Sequence, residues 1–317
     1  IGDTYFRSDT VLSGDCTVGN MYLTGGTLNL NGYTLTVKGN LSQTGGTMNI
    51  NGGRLEIEGN YIIDNGKYAC YAYLNMKNEK DYVKVNGNFT TESNYSHVDC
   101  LSAGVLEVKG DFSQVCDKNF SASGTHKVLL SGETLQVVNF NHPTLSGFSN
   151  LEIKNIEGKE VKFTSQVAVY NELKTEGCKV SGLTLLKLQW KLTGDEVLNG
   201  NVTMSGNTID LNGHKLIVKG NLSQTGGTMN INRGRLEIEG NYIIDDGRYE
   251  RYACYAYLNM KNENDYVKVN GNFTTESNYS HENCLTAGVL EVRGNFSQIC
   301  DKNFSASGTH KVLLSGE

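Results

Sequence analysis

Proline is nearly absent: Pro143 is the only one in 317 residues. Proline cannot donate a main-chain hydrogen bond, so a chain that avoids it is compatible with amides that pair almost everywhere along a sheet. The same scarcity excludes collagen, because glycine is not placed every third residue either. No excess of positive charge is present: 28 Lys and Arg stand against 34 Asp and Glu, a net charge of −6. Nucleic-acid binding requires a basic footprint, and none exists here. Nor does the charge balance favour an anionic membrane surface. No stretch of 18 apolar residues occurs, so no membrane-spanning helix is expected. The chain opens at Ile1 with neither Met nor a signal peptide, which reads as a mature or trimmed piece of something longer. The motifs C-x-x-C, G-x-S-x-G, H-E-x-x-H and the P-loop are missing, as are the G-G-x-G-x-D nonapeptides of calcium-binding β-rolls.

What is abundant is glycine, 37 residues, and asparagine, 36 residues. Both tolerate positive φ, so many tight turns are expected. Helix bundles are excluded, since each helix-interior glycine costs about 1 kcal/mol relative to alanine. Length alone suggests about two domains.

Repeats refine that expectation. Leu35–Glu133 recurs as Leu216–Glu317, with about ten substitutions over the 97 residues from Val37 to Glu133 and a three-residue insertion near Glu250. Most changes are mild: Asn65/Asp246, Lys67/Arg248, Ser102/Thr286, Lys109/Arg293, Asp111/Asn295 and Val115/Ile299. The second copy stops where the first continues into Thr134-Leu135-Gln136, so the C-terminus reads as a cut through a continuing array. A shorter period lies inside each copy. TLNLNGYTLTVKGNLSQTGG (27–46) aligns with TMNINGGRLEIEGNYIIDNG (47–66) at a step of 20 residues, and the tail recurs in VKVNGNFTT, LEVKGDFSQ and LIVKGNLSQ.

Each unit alternates with period 2, as in Leu35 and Val37 or Leu55 and Ile57, which marks a half-buried strand of 4–6 residues. Asn-Gly favours two-residue hairpins, making antiparallel meanders the competing architecture. Like sequences recurring in one direction favour stacking of like on like instead, with Val37 over Ile57 and Leu35 over Leu55. The predicted fold is all-β: a single-stranded parallel β-helix, or β-solenoid, with rungs of roughly 20–27 residues. We read 1–317 as one continuous solenoid, with 1–180 the first long repeat and 181–317 the second, truncated one. The irregular stretch 141–200 is expected to add further rungs through LEIKN, VKFTS and LLKLQW.

Eight cysteines occur at 16, 70, 100, 116, 178, 254, 284 and 300. Counted from the rung glycines, Cys70 and Cys100 are the best placed to share a corner of adjacent rungs, about 4.8 Å apart, which suits a disulfide. The expected pairs are Cys70–Cys100 and Cys254–Cys284, and they would imply export; buried free thiols in a reducing compartment are the alternative. Cys16, Cys116, Cys178 and Cys300 receive no assignment.

Tyr68, Tyr71, Tyr73 and Tyr95 cluster around these cysteines and recur as Tyr249, Tyr252, Tyr255, Tyr257 and Tyr279. Such rings either cover an edge of the core or form a contact platform for carbohydrate or protein. Catalytic candidates are poor. Asp245-Asp246 is Asp64-Asn65 in the other copy. Glu56 and Glu58, repeated as Glu237 and Glu239, alternate outward without a His neighbour. His97 lies near Asp99, but the second copy, around His281, has Asn283 there. His126 and His310 lack a partner in sequence. No cofactor and no metal site is expected. Asn-x-Ser/Thr sites such as Asn40 and Asn88 arise from the Gly-Asn turns and support no glycosylation assignment.

GGTLNLNGYTLTVKGNLSQTGGTMNINGGRLEIEG, with YVKVNGNF and ASGTHKVLLSGE, resembles the Gly/Asn-rich repeat regions of very large secreted or cell-surface proteins of Gram-positive bacteria. More loosely it is similar to filamentous adhesins built on β-helices. The resemblance implies export and a rod-like spacer or adhesive stalk, and carries over no catalytic residue. The expectation is a non-enzymatic extracellular segment whose partners are copies of itself, stacked end to end or laterally, or host and surface glycans or proteins. A carbohydrate-binding module acting through the Tyr-rich loops is the alternative, and a polysaccharide lyase or hydrolase a weaker one.

Overall fold

A computed structural model describes residues 2–63, 71–93, 96–116, 118–154, 159–176, 179–186, 189–244, 256–276, 280–299 and 303–316. They form two compact units, Ile1–Leu173 and Lys174–Glu317. Regular structure among the described residues is β throughout, and the named strands pair in parallel as a β-solenoid.

In the first unit, the alternating segments Thr34–Val37, Arg54–Ile57, Tyr82–Val85, Val105–Val108 and Lys127–Leu130 stack side by side in one sheet. Leu35 lies on Leu55 and Val37 on Ile57, as the period-2 pattern requires. The columns continue through Val83, Leu106 and Val128, all fully buried. A second sheet carries Met21–Asn29, Leu41–Asn49, Tyr61–Ile63, Phe89–Thr91 and Phe112–Gln114. Its inward column is aromatic: Tyr61, Phe89 and Phe112 follow one another at ring separations of 5.5 and 5.3 Å. One turn alone buries almost nothing; burial comes from the neighbouring turn, which is why identical inward residues recur.

Strand lengths differ from the 4–6 residues expected. Met21–Asn29 and Leu41–Asn49 run for nine residues, bending through a bulge at Thr24. In the second unit the equivalent residues divide into Leu222–Gln224 and Gly227–Asn230, which lie in different sheets. There Asn207–Asp210, Gly227–Asn230 and Ala256–Asn259 form a face of their own, and Lys215–Val218 to Lys311–Leu314 another. The 141–200 stretch is strand-rich, as read, through Phe148–Lys154, Glu160–Phe163 and Leu183–Leu186. It also contains Gln166–Glu176, an eleven-residue strand that the sequence reading missed.

The Gly-Asn punctuation has a physical cause different from the one expected. Asn20 accepts the backbone N–H of Asn40 through Oδ1, Asn40 that of Asn60, Asn60 that of Asn88, and Asn88 that of Asp111, at 2.8–2.9 Å. Asn201, Asn221, Asn241, Asn272 and Asn295 repeat this ladder. The steps span 20, 28 and 23 residues in the first unit and reach 31 where the insertion lies, beyond the 27 expected. The glycine before each asparagine is needed for proximity. A Cβ at Gly59 would sit 2.7 Å from the Gly39 carbonyl oxygen and 2.4 Å from Asn40 Oδ1. Of the Asn-Gly pairs, Asn31-Gly32, Asn51-Gly52 and Asn212-Gly213 have positive φ at both residues; Asn86-Gly87 and Asn270-Gly271 do not, and their glycines precede the ladder residues Asn88 and Asn272.

One position tests this division. The second copy carries Arg233 where the first has Gly52, yet keeps the same turn, with φ of 45° at Asn232 and 66° at Arg233. A side chain in that region costs roughly 1–2 kcal/mol, partly offset by the greater unfolded-state entropy of glycine. Arg233→Gly is therefore expected to stabilise the second unit by about 1 kcal/mol, read as a higher denaturant midpoint. An unchanged or lower midpoint would show that the arginine side chain compensates for its backbone.

Candidate functional site

Most polar side chains with a resolved role bridge successive turns. Lys109 pairs with Glu133 and Lys127 with Glu152, both at 2.8 Å, and Lys38 pairs with Glu58. Glu56 is held by Arg54, whose guanidinium lies 4.0 Å above the Tyr82 ring. Tyr82 in turn donates to Glu107, which also accepts from Ser131 at 2.7 Å. Partial burial and this carboxylate push the Tyr82 phenol up to about 12. Arg235, Glu237, Tyr266, Glu291 and Ser315 repeat the arrangement. Glu56 and Glu58 thus occupy an ion-paired outer face, as their alternation predicted.

The histidines differ from their sequence context. His97 is buried against Tyr73, ring centroids 5.5 Å apart, whereas its sequence neighbour Asp99 is exposed. Burial lowers the His97 imidazole to about 4, with the Ala72 and Asn119 backbone opposing this only in part. His126 is fully buried beside Phe120, and burial lowers it to about 3. Both rings are neutral at pH 7. His281 is buried against Tyr257 in the same way.

Among the expected contact residues, Tyr71 is 56% exposed and stacks on the half-exposed Tyr73, centroids 6.1 Å apart, while Tyr257 is half-exposed on Ala256–Asn259. Tyr68, Tyr95, Tyr249, Tyr252, Tyr255 and Tyr279 lie outside the described residues. So do Cys70 and Cys254, the expected partners of Cys100 and Cys284, and so do Cys178 and Cys300. Cys100 and Cys284 are half-buried free thiols, and burial raises both, so neither is a ready nucleophile.

The structure adds a feature that the residue-by-residue reading missed. On the face formed by Asn207–Asp210, Gly227–Asn230 and Ala256–Asn259, the outward residues Asp210, Asn230 and Asn259 lie directly over one another. Asn259 donates to Asn230 at 2.8 Å and Asn232 to Asp210 at 2.9 Å. These side chains, with Lys261 and Asn262, line a cleft of about 280 Å³. At its base the buried Asp265 accepts the backbone N–H groups of Arg233, Lys261 and Asn262 at 2.6–3.0 Å. In the first unit Asp81 accepts those of Gly52, Lys77 and Asn78 identically. The signal was present in sequence, since TLNLN and TMNIN place Asn29 and Asn49 at one phase of the 20-residue step.

Among the described residues no three His, Cys, Asp or Glu side chains converge to hold a metal ion. Comparison with family models, with curated proteins and with solved structures returned no match.

Proposed function

We propose that the chain is a non-enzymatic structural or adhesive β-solenoid segment of a bacterial surface or secreted protein, working outside the cell. The observation that supports this reading is the direction of its polar bonding. Asparagine ladders, Lys–Glu pairs and the Arg–Tyr–Glu clusters join one turn to the next, and both units repeat them. Catalytic sites instead converge acid and base groups on one reacting point. Here the carboxylates Glu56 and Glu58 are engaged by cations, and His97 is withdrawn into the core. Stacked turns of this kind suit a stiff spacer, and the resemblance to surface repeat regions supports a location outside the cell.

The partners in this reading are further copies of the chain, stacked end to end or laterally, or surface glycans and proteins. Limited proteolysis of intact source cells, followed by immunoblotting, is expected to remove the protein from the cell surface or find it in the medium. Recovery solely from the protease-protected cytosol would overturn the assignment. Light scattering of the purified chain tests self-association: growth in mass with concentration is expected, and a monomer at every concentration would eliminate copies of itself as partners.

A further inference from the structure

We propose that the amide-lined cleft of the second unit, and its equivalent in the first, binds neutral polysaccharide. Its lining is dominated by carboxamides: Asn230, Asn232, Asn259 and Asn262 accompany one carboxylate, Asp210, and one ammonium, Lys261. Asp265 does not offer its oxygens to a ligand, because it is buried and three backbone amides already engage them. With two carboxylates, Asp265 included, and one ammonium among seven lining residues, the cleft gives a phosphate no reason to enter, and only one of the two carboxylates, Asp210, faces a ligand. Each carboxamide carries two N–H donors and an oxygen with two lone pairs, and one rung-to-rung bond does not exhaust that capacity. Planar groups presenting donor and acceptor side by side match pairs of neighbouring hydroxyls, the pattern that a sugar ring displays.

Two further observations favour a carbohydrate. Tyr257 stands two residues before Asn259 on the same outward alternation, half-exposed, so a ring borders the amide column. Tyrosine supplies a flat apolar surface at low entropic cost, suited to the C–H face of a pyranose. The first unit repeats the set as Asn29, Asn49, Asn51, Asn75, Lys77 and Asn78, with Tyr73 at the Tyr257 position and Tyr71 stacked on it. Only Asp210 differs in kind, from Asn29. Because the column crosses successive turns, it suits an extended polymer over a single sugar. A peptide would add instead to a sheet edge, and this cleft lies on a sheet face.

The test is affinity electrophoresis of the full chain in native gels containing xylan, glucomannan, laminarin or hydroxyethylcellulose. Retardation by at least one polymer is expected. Two sets of substitutions are made in both units together: Asn49→Asp with Asn230→Asp, which keeps shape but replaces donors by acceptors, and Lys77→Met with Lys261→Met. Each set is expected to weaken retention about tenfold, equivalent to losing one or two good hydrogen bonds, with the melting midpoint unchanged. Absence of retardation by every neutral polymer overturns the proposal. So does retention that survives both sets of cleft variants but is lost on Tyr68→Ala with Tyr252→Ala, because the loops would then be the site. Neither result bears on whether the chain is an extracellular structural segment.

Discussion

Acidification from pH 6.5 to pH 4 is expected to destabilise the first unit severely, with the loss setting in well above the ordinary carboxylate range. His97 and His126 are held neutral by burial, at about 4 and about 3, against an ordinary value near 6.5 in the unfolded chain. Below pH 6.5 the unfolded state takes up two protons that the folded state refuses. Stability is therefore complete above that pH and falls as pH drops toward the folded values. By linkage each histidine removes on the order of 3 kcal/mol by pH 4. Both together equal a large part of the 5–15 kcal/mol typical of a folded domain. His126→Leu keeps the buried volume and removes one titration, so it is expected to halve the dependence of the urea midpoint on pH between 6.5 and 5. Glu107, held low by Tyr82 and Ser131, titrates below this window and does not mimic the effect. A midpoint flat from pH 7 to 5 would show that the imidazoles gain solvent without unfolding.

Asp81→Ala is the second large effect. The wild-type carboxylate is buried and accepts three backbone N–H groups: Gly52 at 2.6 Å, Lys77 at 2.7 Å and Asn78 at 3.0 Å. Gly52 belongs to the preceding turn, so one side chain ties a corner to its neighbour. Removing it leaves three part-buried donors without their acceptor, and an unsatisfied donor costs about 1–3 kcal/mol where water does not replace the partner. A loss of at least about 3 kcal/mol is expected in chemical denaturation, where the alanine variant unfolds at markedly lower urea. Asp81→Asn retains one oxygen and is expected to fall between alanine and wild type. Glu79→Ala, two residues away, removes only an exposed bond from Thr125 and should stay within about 0.5 kcal/mol. Equal losses at Asp81 and Glu79 would contradict the bonding described.

The fold was legible because its signal is local. Leu35 and Val37 carry the alternation, Leu55 and Ile57 repeat it 20 residues later, and the pairing follows from placing like on like. The role of Gly59 was not legible, because the atoms that forbid a Cβ there belong to Gly39 and Asn40 on another turn. His97 illustrates the same limit. Proximity in sequence suggested Asp99 as its companion, whereas the coil buries the imidazole against Tyr73, 24 residues earlier, and leaves Asp99 exposed. Gln43 is another case: it sits in the core with its amide donating to Gly46 and Tyr73 carbonyls while Tyr61 donates to its oxygen, a network assembled from two successive turns. Of the candidate contact residues, sequence pointed to the tyrosines because they cluster in the chain. The amide column of Asp210, Asn230 and Asn259 is dispersed in sequence, and only stacking assembles it.

The central claim is that successive turns stack in parallel with one fixed register. Directional cross-linking tests it most directly. Thr36 and Glu56 are paired Cα partners on the outer face, and Lys84 is the partner of Glu56 one turn further. With the eight native cysteines replaced by alanine and folding verified by circular dichroism, cysteines at 36 and 56 lie within disulfide reach at the ordinary strand spacing of about 4.8 Å. The account predicts rapid oxidation of the 36/56 pair and of the 56/84 pair, and none of the 36/84 pair, which is separated by a whole turn. Efficient closure of 36/84 with failure of 36/56 would contradict the stacked coil.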